Sequence, residues 1–211
     1  MRNLIHTPFR YSYFSANLIL IGFNIIFFTL TSSSYKLLSL LGMNAAEVIY
    51  GHKFWQPLTY MFVHGNMRHL LSNMIGLIFF GTAVERAIGS KEYLLMYLLC
   101  GLLSGLASLG YFYWNGDYFS LLIGASGAVY TIMFAFAVIF PKSMILLFFI
   151  IPIPAPILVI LYTAFELFSE MNSLQAGVAH YTHLFGFLAA FFYFIIRMGI
   201  NPLKIWAKTY F

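Results

Sequence analysis

The charged residues of this chain are few, and their spacing constrains its fold more than any other feature. Only 8% of the 211 residues are Asp, Glu, Lys or Arg, and the mean hydropathy is +0.87. Soluble domains carry about 25% charged residues, so this chain cannot cover a water-facing surface. The composition therefore excludes a cytosolic enzyme, a disordered regulator and a nucleic-acid-binding protein, although the net charge is +5.

Six stretches of at least 16 residues contain no charged residue, and a transmembrane helix needs about 20 residues of this kind. The stretches are Tyr11–Tyr35, His69–Val84, Tyr93–Gly116, Tyr118–Pro141, Ser143–Phe165 and Met171–Ile196. We therefore predict an all-α polytopic membrane protein with six transmembrane helices in one domain, residues 1–211. The spans are expected at about 13–31, 66–84, 93–114, 125–140, 156–169 and 180–197, with residues 32–56 as the longest outer connection.

Two local features refine these spans. Pro152, Pro154 and Pro156 interrupt the fifth stretch. Because proline breaks a helix interior, we expect an irregular or interfacial segment before the fifth helix. The first stretch shows no clear cleavage site, so we expect Tyr13–Leu30 to be a retained span and not a signal peptide.

The basic residues predict the orientation in the membrane. With six spans, both termini lie on the same side. That side receives eight Lys and Arg: Arg2, Arg10, Arg86, Lys91, Lys142, Arg197, Lys204 and Lys208. The opposite side receives three: Lys36, Lys53 and Arg68. Since cytoplasmic loops are enriched in Lys and Arg, we expect both termini to be cytoplasmic.

Several polar side chains lie within the predicted spans, where an unexplained polar group is costly. On the second span, His69 and Asn73 are four residues apart and share one helical face. On the fourth span, Ser126 lies between Gly124 and Gly127 at the helix start. Taken alone, this pattern favours a capping serine with glycines for close packing.

The sixth span supplies a partner for Ser126. His183 precedes Gly186 by three residues and Ala190 by seven, and this stripe of small residues lets another helix approach closely. If the fourth span packs there, the Ser126 hydroxyl faces the His183 imidazole, the minimum arrangement of a nucleophile and its base. The polar face of the second span would then offer hydrogen-bond donors to a developing oxyanion.

Four sequence blocks together carry a family resemblance. They are Gly124-Ala125-Ser126-Gly127 with Tyr130, His183-Leu184-Phe185-Gly186 with Ala190, the set His64, His69 and Asn73, and the segment from Gly81 through Glu85 and Arg86 to Ser90. In this arrangement, on six predicted spans, they resemble the rhomboid family of intramembrane serine proteases from about Trp55 to Ala190. Two positions depart from the family pattern: Gln56 replaces an arginine, and Ala190 replaces the last glycine.

The resemblance implies a serine endopeptidase with a Ser-His dyad. Ser126 would attack the peptide carbonyl, with His183 as general base and then general acid. The oxyanion would be held by the Ser126 backbone N–H, the His69 side chain and the Asn73 amide. The resemblance implies no cofactor and no metal ion.

The expectation of a dyad also rests on where the carboxylates lie in the sequence. Glu85 is at the cytoplasmic end, and Glu166 and Glu170 are on the fifth span. None of them is expected to orient His183. Tyr130 would fix the imidazole ring by stacking on it instead.

The substrate implied by the resemblance is a transmembrane segment of another protein, cut near its outer end. The implied location is a lipid bilayer, as an integral protein of the bacterial inner membrane. The fifth helix, short and preceded by prolines, is either a lateral gate for the substrate or a plain span.

Two other functions compete with this interpretation. In a metal or haem protein, His69, His180 and His183 would converge on an ion. The sequence has no HExxH motif, and we expect no acidic ligand in the outer half of a span to complete a zinc site. A rhomboid-like protein that binds transmembrane helices without cleaving them would share the fold and the partners.

The sixth span contains two histidines, and their spacing distinguishes them. Counting from His183, Gly186 and Ala190 fall at +3 and +7, whereas His180 has His183 at +3. Helical geometry puts His180 about 4.5 Å nearer the outer surface, where we expect water to satisfy it. We predict that His183→Ala abolishes proteolysis while His180→Ala leaves much of it. The opposite result in two folded variants would show that this register is wrong.

Overall fold

The computed structural model describes residues 7–147, 150–171 and 180–210, which are mostly helical. The helices are α1 (Ala16–Ser32), α2 (Tyr35–Leu41), α3 (Ala45–Ile49), α4 (Gln56–Thr59), α5 (Met67–Gly76), α6 (Thr82–Ile88), α7 (Ser90–Trp114), α8 (Ser126–Ile139), α9 (Ala155–Met171), α10 (His180–Ile196) and α11 (Pro202–Tyr210). A 3₁₀ turn, Tyr60–Phe62, follows α4, and a π-helical segment, Leu77–Gly81, joins α5 to α6.

The apolar stretches form the longer helices, because a helix satisfies its backbone polar groups internally. The continuous helix Met67–Ile88 and helix α7 are long and apolar enough to cross a membrane, and α1, α8 and α10 are apolar but shorter. Each predicted span coincides with a helix, and the ends differ by at most four residues. Six crossings of a bilayer stay a prediction. Arg2, one of the charges behind the predicted orientation, lies outside the described residues.

The described residues are mostly helical, as predicted, but the segment before α9 is not irregular. Strands β1 (Met144–Leu147) and β2 (Ile151–Pro154) pair in an antiparallel hairpin, and Pro152 and Pro154 are among the paired residues. Proline lacks an N–H donor, and a two-stranded sheet has free edges on which that donor is not needed. The proline-rich segment is therefore extended and regular, and α9 begins directly after it at Ala155.

The predicted outer connection, residues 32–56, contains the short helices α2 and α3. Gln56, which stands in the place of the family's arginine, is fully buried. Its side-chain amide donates to the carbonyl oxygens of Ser39 at 3.2 Å and Leu40 at 3.3 Å. Its side-chain oxygen accepts from the Asn44 backbone N–H at 3.3 Å. Gln56, at the start of α4, therefore links α4 to α2 and to the residue before α3.

Two buried carboxylates link helix ends near the N-terminus of α7. Glu85 accepts from the backbone N–H groups of Ala16 at 2.5 Å and Asn17 at 3.1 Å. A negative charge is favourable at this position, because the first N–H groups of α1 have no acceptor within the helix. Glu92 accepts two hydrogen bonds from Arg197, at 2.9 and 3.0 Å. These contacts join α1, α6, α7 and α10.

Helices α8 and α10 approach so closely at Gly127 and Gly186 that no side chain fits between them. A Cβ atom added to Gly186 would lie 2.2 Å from the Gly127 carbonyl oxygen. Thr131 Oγ1 also donates to the Gly186 carbonyl oxygen at 2.9 Å. This close approach is the one that the small-residue stripe of the sixth span predicts, and it sets the starts of α8 and α10 side by side.

We predict that Gly186→Ala lowers the midpoint of thermal unfolding in detergent. The added methyl forces the two backbones apart, and such overpacking costs about 1–3 kcal/mol. The matched control is Gly110→Ala in α7, where an added Cβ meets nothing within 4 Å. Alanine favours a helix more than glycine, so this control is expected to keep or raise the midpoint. Equal midpoints for the two variants would contradict the account of this contact.

Candidate active site

Ser126 begins α8, directly after a turn that only glycine adopts easily. Gly124 has a φ of +121°, and its N–H donates to the Tyr60 carbonyl oxygen at 3.0 Å. A side chain at Gly124 would collide with His69, since an added Cβ would lie 2.6 Å from the imidazole. The backbone N–H of Ser126 belongs to the first turn of α8, where helix geometry offers it no acceptor.

His183 lies in the first turn of α10 and meets Ser126. The distance between His183 Nε2 and Ser126 Oγ is 2.8 Å, which is a hydrogen bond. Tyr130 lies one turn after Ser126, and its ring stacks on the imidazole with centroids 4.2 Å apart at 14°. The structure therefore brings together the hydroxyl, the imidazole and the tyrosine that the sequence singled out.

Glu166 corrects the expectation that no carboxylate orients His183. Its Oε1 lies 3.0 Å from His183 Nδ1 and also accepts a hydrogen bond from the Tyr130 hydroxyl. Its Oε2 lies within hydrogen-bonding distance of His180 Nδ1. The predicted topology already contained the signal: the end of the fifth span lies on the same side as the starts of the fourth and sixth spans.

His180 is paired with a carboxylate and not satisfied by water near the outer surface, so that expectation is also wrong. It is buried, with 3% of its surface exposed, and its Nδ1 pairs with the Glu166 carboxylate. His180 lies three residues before His183, which places it about 60° round the helix from His183. This offset turns His180 toward α9, where the Glu166 carboxylate satisfies its Nδ1. His183, one turn along, keeps its Nε2 toward Ser126.

The cluster of Glu166, His180 and His183 also bears on the competing interpretation of a metal site. Glu166, His180 and His183 offer ligand atoms within 4.8 Å of one another. Glu166 thus supplies the acidic ligand whose absence the sequence analysis expected, and two histidines with one glutamate form a known zinc ligand set. In this structure, the two carboxylate oxygens of Glu166 are also occupied by hydrogen bonds with His180 Nδ1 and His183 Nδ1.

Asn73 and His69 lie on α5, facing the Ser126 side of the cavity. Asn73 Nδ2 lies 3.0 Å from His64 Nε2, so one amide hydrogen is directed at His64 and a second is left over. His64 precedes α5 and is buried. Burial, and to a lesser degree the charge of nearby His69, lowers the pKa of His64 to about 4. Neutral His64 therefore serves as the acceptor that orients Asn73.

The cavity in front of these residues has a volume of about 1320 Å³. His69, Asn73, Ser126, Tyr130 and His183 all line it. Ligand pockets for small molecules enclose about 300–1000 Å³, so this cavity has room for several residues of an extended polypeptide.

Comparison with known proteins places this architecture in a family. The rhomboid domain family model matches residues 51–199, more than half of the chain. This chain belongs to the rhomboid family. It is accordingly an integral membrane protein built as a helical bundle.

Three relatives show how far the similarity extends. Rhomboid protease AarA of Providencia stuartii is 27% identical over 187 residues, covering 81% of this chain and 65% of the relative. Rhomboid protease GluP of Bacillus subtilis is 34% identical over 99 residues, covering 47% of this chain and 18% of the relative. RHOMBOID-like protein 4 of Arabidopsis thaliana is 33% identical over 101 residues, covering 48% and 24%. The chain thus spans less than two thirds of each of these rhomboids.

The burial of His64 predicts a pH dependence of stability. Between about pH 6.5 and pH 4 the unfolded chain protonates His64 and the folded chain does not. Stability therefore falls as the pH is lowered through this window, and His64 contributes no such change above it. We predict that His64→Gln, which keeps an acceptor for Asn73, reduces the drop in thermal midpoint between pH 6.5 and pH 4.5. His52→Gln, a change at an exposed histidine, is the control and should leave the drop intact.

Proposed function

We propose that this chain is an intramembrane serine endopeptidase that cleaves transmembrane segments of other membrane proteins. The observation that carries the proposal is the 2.8 Å hydrogen bond between Ser126 Oγ and His183 Nε2 beside a large cavity of a rhomboid fold. A serine hydroxyl becomes a nucleophile when a base within hydrogen-bonding distance takes its proton. Two of the relatives are named proteases, which supports the same chemistry.

The reaction follows from the position of the two side chains. Ser126 Oγ forms a bond to the peptide carbonyl carbon while its proton passes to His183 Nε2. The tetrahedral intermediate then breaks its C–N bond, and His183 gives the proton to the leaving nitrogen. Water, deprotonated by the same imidazole, hydrolyses the acyl ester and frees Ser126. These steps need no cofactor and no metal ion.

Three donors are proposed to hold the oxyanion of that intermediate. They are the Ser126 backbone N–H, the His69 side chain, and the amide hydrogen of Asn73 that is not directed at His64. A preorganised donor in a site with little water stabilises developing charge strongly, and losing one costs about 10²–10³ in rate. Gly124 and Gly127 support this arrangement, because a side chain at either would displace a neighbour.

We also propose six spans with both termini in the cytoplasm of a bacterial cell, in the inner membrane. Ser126 and His183 lie at the starts of α8 and α10, and in this topology those starts face outward. Cleavage would therefore fall near the outer end of the substrate. A substrate helix has its backbone hydrogen-bonded internally, so it must unwind before its carbonyl reaches Ser126.

Of the two roles open to α9, its contacts favour the plain span. Glu166 joins α9 to both histidines of α10 and to Tyr130 of α8. An outward swing of α9 would separate a buried carboxylate from these partners, which is costly in a medium of low dielectric constant. We therefore propose that substrate reaches the cavity without displacement of the outer end of α9.

A metal-binding function is the second candidate, since Glu166, His180 and His183 cluster closely. Elemental analysis of the purified protein separates the two functions. A protease of the kind proposed cleaves in the presence of a chelator and without bound metal. Stoichiometric zinc or copper, together with loss of activity on chelation, would favour the second candidate.

We predict that Ser126→Ala abolishes cleavage of a reporter transmembrane substrate in liposomes, because no other described group replaces the nucleophile. His183→Ala is expected to lose activity to a similar extent, since residues that act as a unit are not additive. Ser33→Ala, at an exposed serine outside the cavity, is the matched control and should retain cleavage. Cleavage by folded Ser126→Ala at the wild-type rate would disprove the assignment, and a folded wild type that binds but never cleaves would indicate a non-catalytic binder.

A further inference from the structure

We propose that Glu166 is a positioning residue that extends the Ser126–His183 pair to a triad of Ser126, His183 and Glu166, called the relay below. This inference rests on the proposed function. Ser126 Oγ, the His183 imidazole and the Glu166 carboxylate are joined in series by contacts of 2.8 and 3.0 Å. Hydroxyl to one ring nitrogen and carboxylate to the other is the geometry of a Ser–His–acid triad. The carboxylate comes from α9, the imidazole from α10 and the hydroxyl from α8.

The partners of Glu166 fix its charge state. Oε1 receives the Tyr130 hydroxyl and His183 Nδ1, and Oε2 receives His180 Nδ1. An ionised carboxylate is an acceptor only, so it can satisfy three N–H and O–H donors at once. Only 2% of Glu166 is exposed, and a buried charge without such partners is unfavourable. The network therefore favours an ionised Glu166 with both of its oxygens occupied.

This network also assigns the tautomer of His183. If Glu166 is an acceptor, the proton of the neutral imidazole is on Nδ1. The lone pair on Nε2 is then directed at Ser126, which is the form that can remove the hydroxyl proton. The stacked Tyr130 ring holds the imidazole plane, but it cannot choose between the two ring nitrogens. The Glu166 carboxylate therefore determines which ring nitrogen of His183 carries the proton.

Glu166 has a second effect when the proton moves. His183 becomes an imidazolium as Ser126 attacks, and a negative charge 3.0 Å from its Nδ1 stabilises that form. Glu166 is buried, so the interaction is screened less than in solution. The carboxylate therefore acts on the transition state more than on substrate binding.

His180 and Tyr130 act on Glu166 and not on the substrate bond. Each holds one carboxylate oxygen, and together they prevent the carboxylate from rotating away from His183. His180 therefore helps to position Glu166. This role is separate from that of the general base, which the spacing argument assigns to His183.

The test is Glu166→Gln, which keeps the shape of the side chain and removes its charge. The amide can donate to His183 Nδ1 and so favour the unproductive tautomer. We expect kcat to fall by as much as about 10⁴-fold, the order of loss seen when a triad carboxylate is replaced, while KM changes by less than about threefold. Glu47→Gln is the matched control: it is the same substitution in α3, outside the cavity, where the carboxylate pairs with Lys53 and the described structure shows no hydrogen bond to Ser126 or His183. It should lower kcat by less than about threefold.

The two proposals fail in different ways. Activity in Ser126→Ala would overturn the protease proposal whatever Glu166 does. If Ser126→Ala is inactive but Glu166→Gln keeps the wild-type kcat, only the relay is overturned. An equal fall of kcat in Glu166→Gln and Glu47→Gln would also overturn it, because the effect would then be general to the loss of a carboxylate.

A measurement on the unaltered protein covers the case in which Glu166→Gln does not fold. In protein labelled with ¹⁵N-histidine, the ring nitrogen shifts report the tautomer of neutral His183, assigned by its loss in His183→Ala. The relay requires the proton on Nδ1, with a far-downfield resonance for the proton shared with the carboxylate. A proton on Nε2 would overturn the proposal, as would a metal ion bound by Glu166.

Discussion

The contact between Gly127 and Gly186 is the constraint on which the rest of the site depends. It lets the backbones of α8 and α10 touch, with no room for a Cβ atom between them. A hydroxyl on a short side chain can reach an imidazole on another helix only if the two helices are this close. Ser104, which donates to the Thr182 carbonyl oxygen at 2.6 Å, adds α7 to the same contact and fixes the start of α10.

Three buried carboxylates then follow one rule at the two ends of the bundle: each finds partners inside the protein, since the membrane offers none. Glu85 and Glu92 satisfy the rule with helix-terminal N–H groups and an arginine, and so hold helices together. Glu166 satisfies it with two histidines and a tyrosine at the opposite end. The same physical requirement thus holds helices together at one end of the bundle and positions side chains of the candidate active site at the other.

Much of this arrangement could be predicted from the sequence, because charge-free stretches locate the helices and the small residues at positions 127, 186 and 190 locate their contact. The spacing of Ser126 and His183 from those residues predicted which side chains meet. The hairpin was missed because prolines in an apolar stretch indicate only that a helix stops. Glu166 was missed because its position was judged by the span it occupies and not by its place along that helix, where it meets His183.

The most direct measurement of the central claim is the site of covalent labelling. A fluorophosphonate probe reacts with a serine only where a neighbouring base activates the hydroxyl, and peptide mass spectrometry of the labelled protein identifies that serine. The account predicts one adduct, on Ser126, that disappears in folded His183→Ala. An adduct on another serine, or labelling of Ser126 that persists without His183, would contradict it.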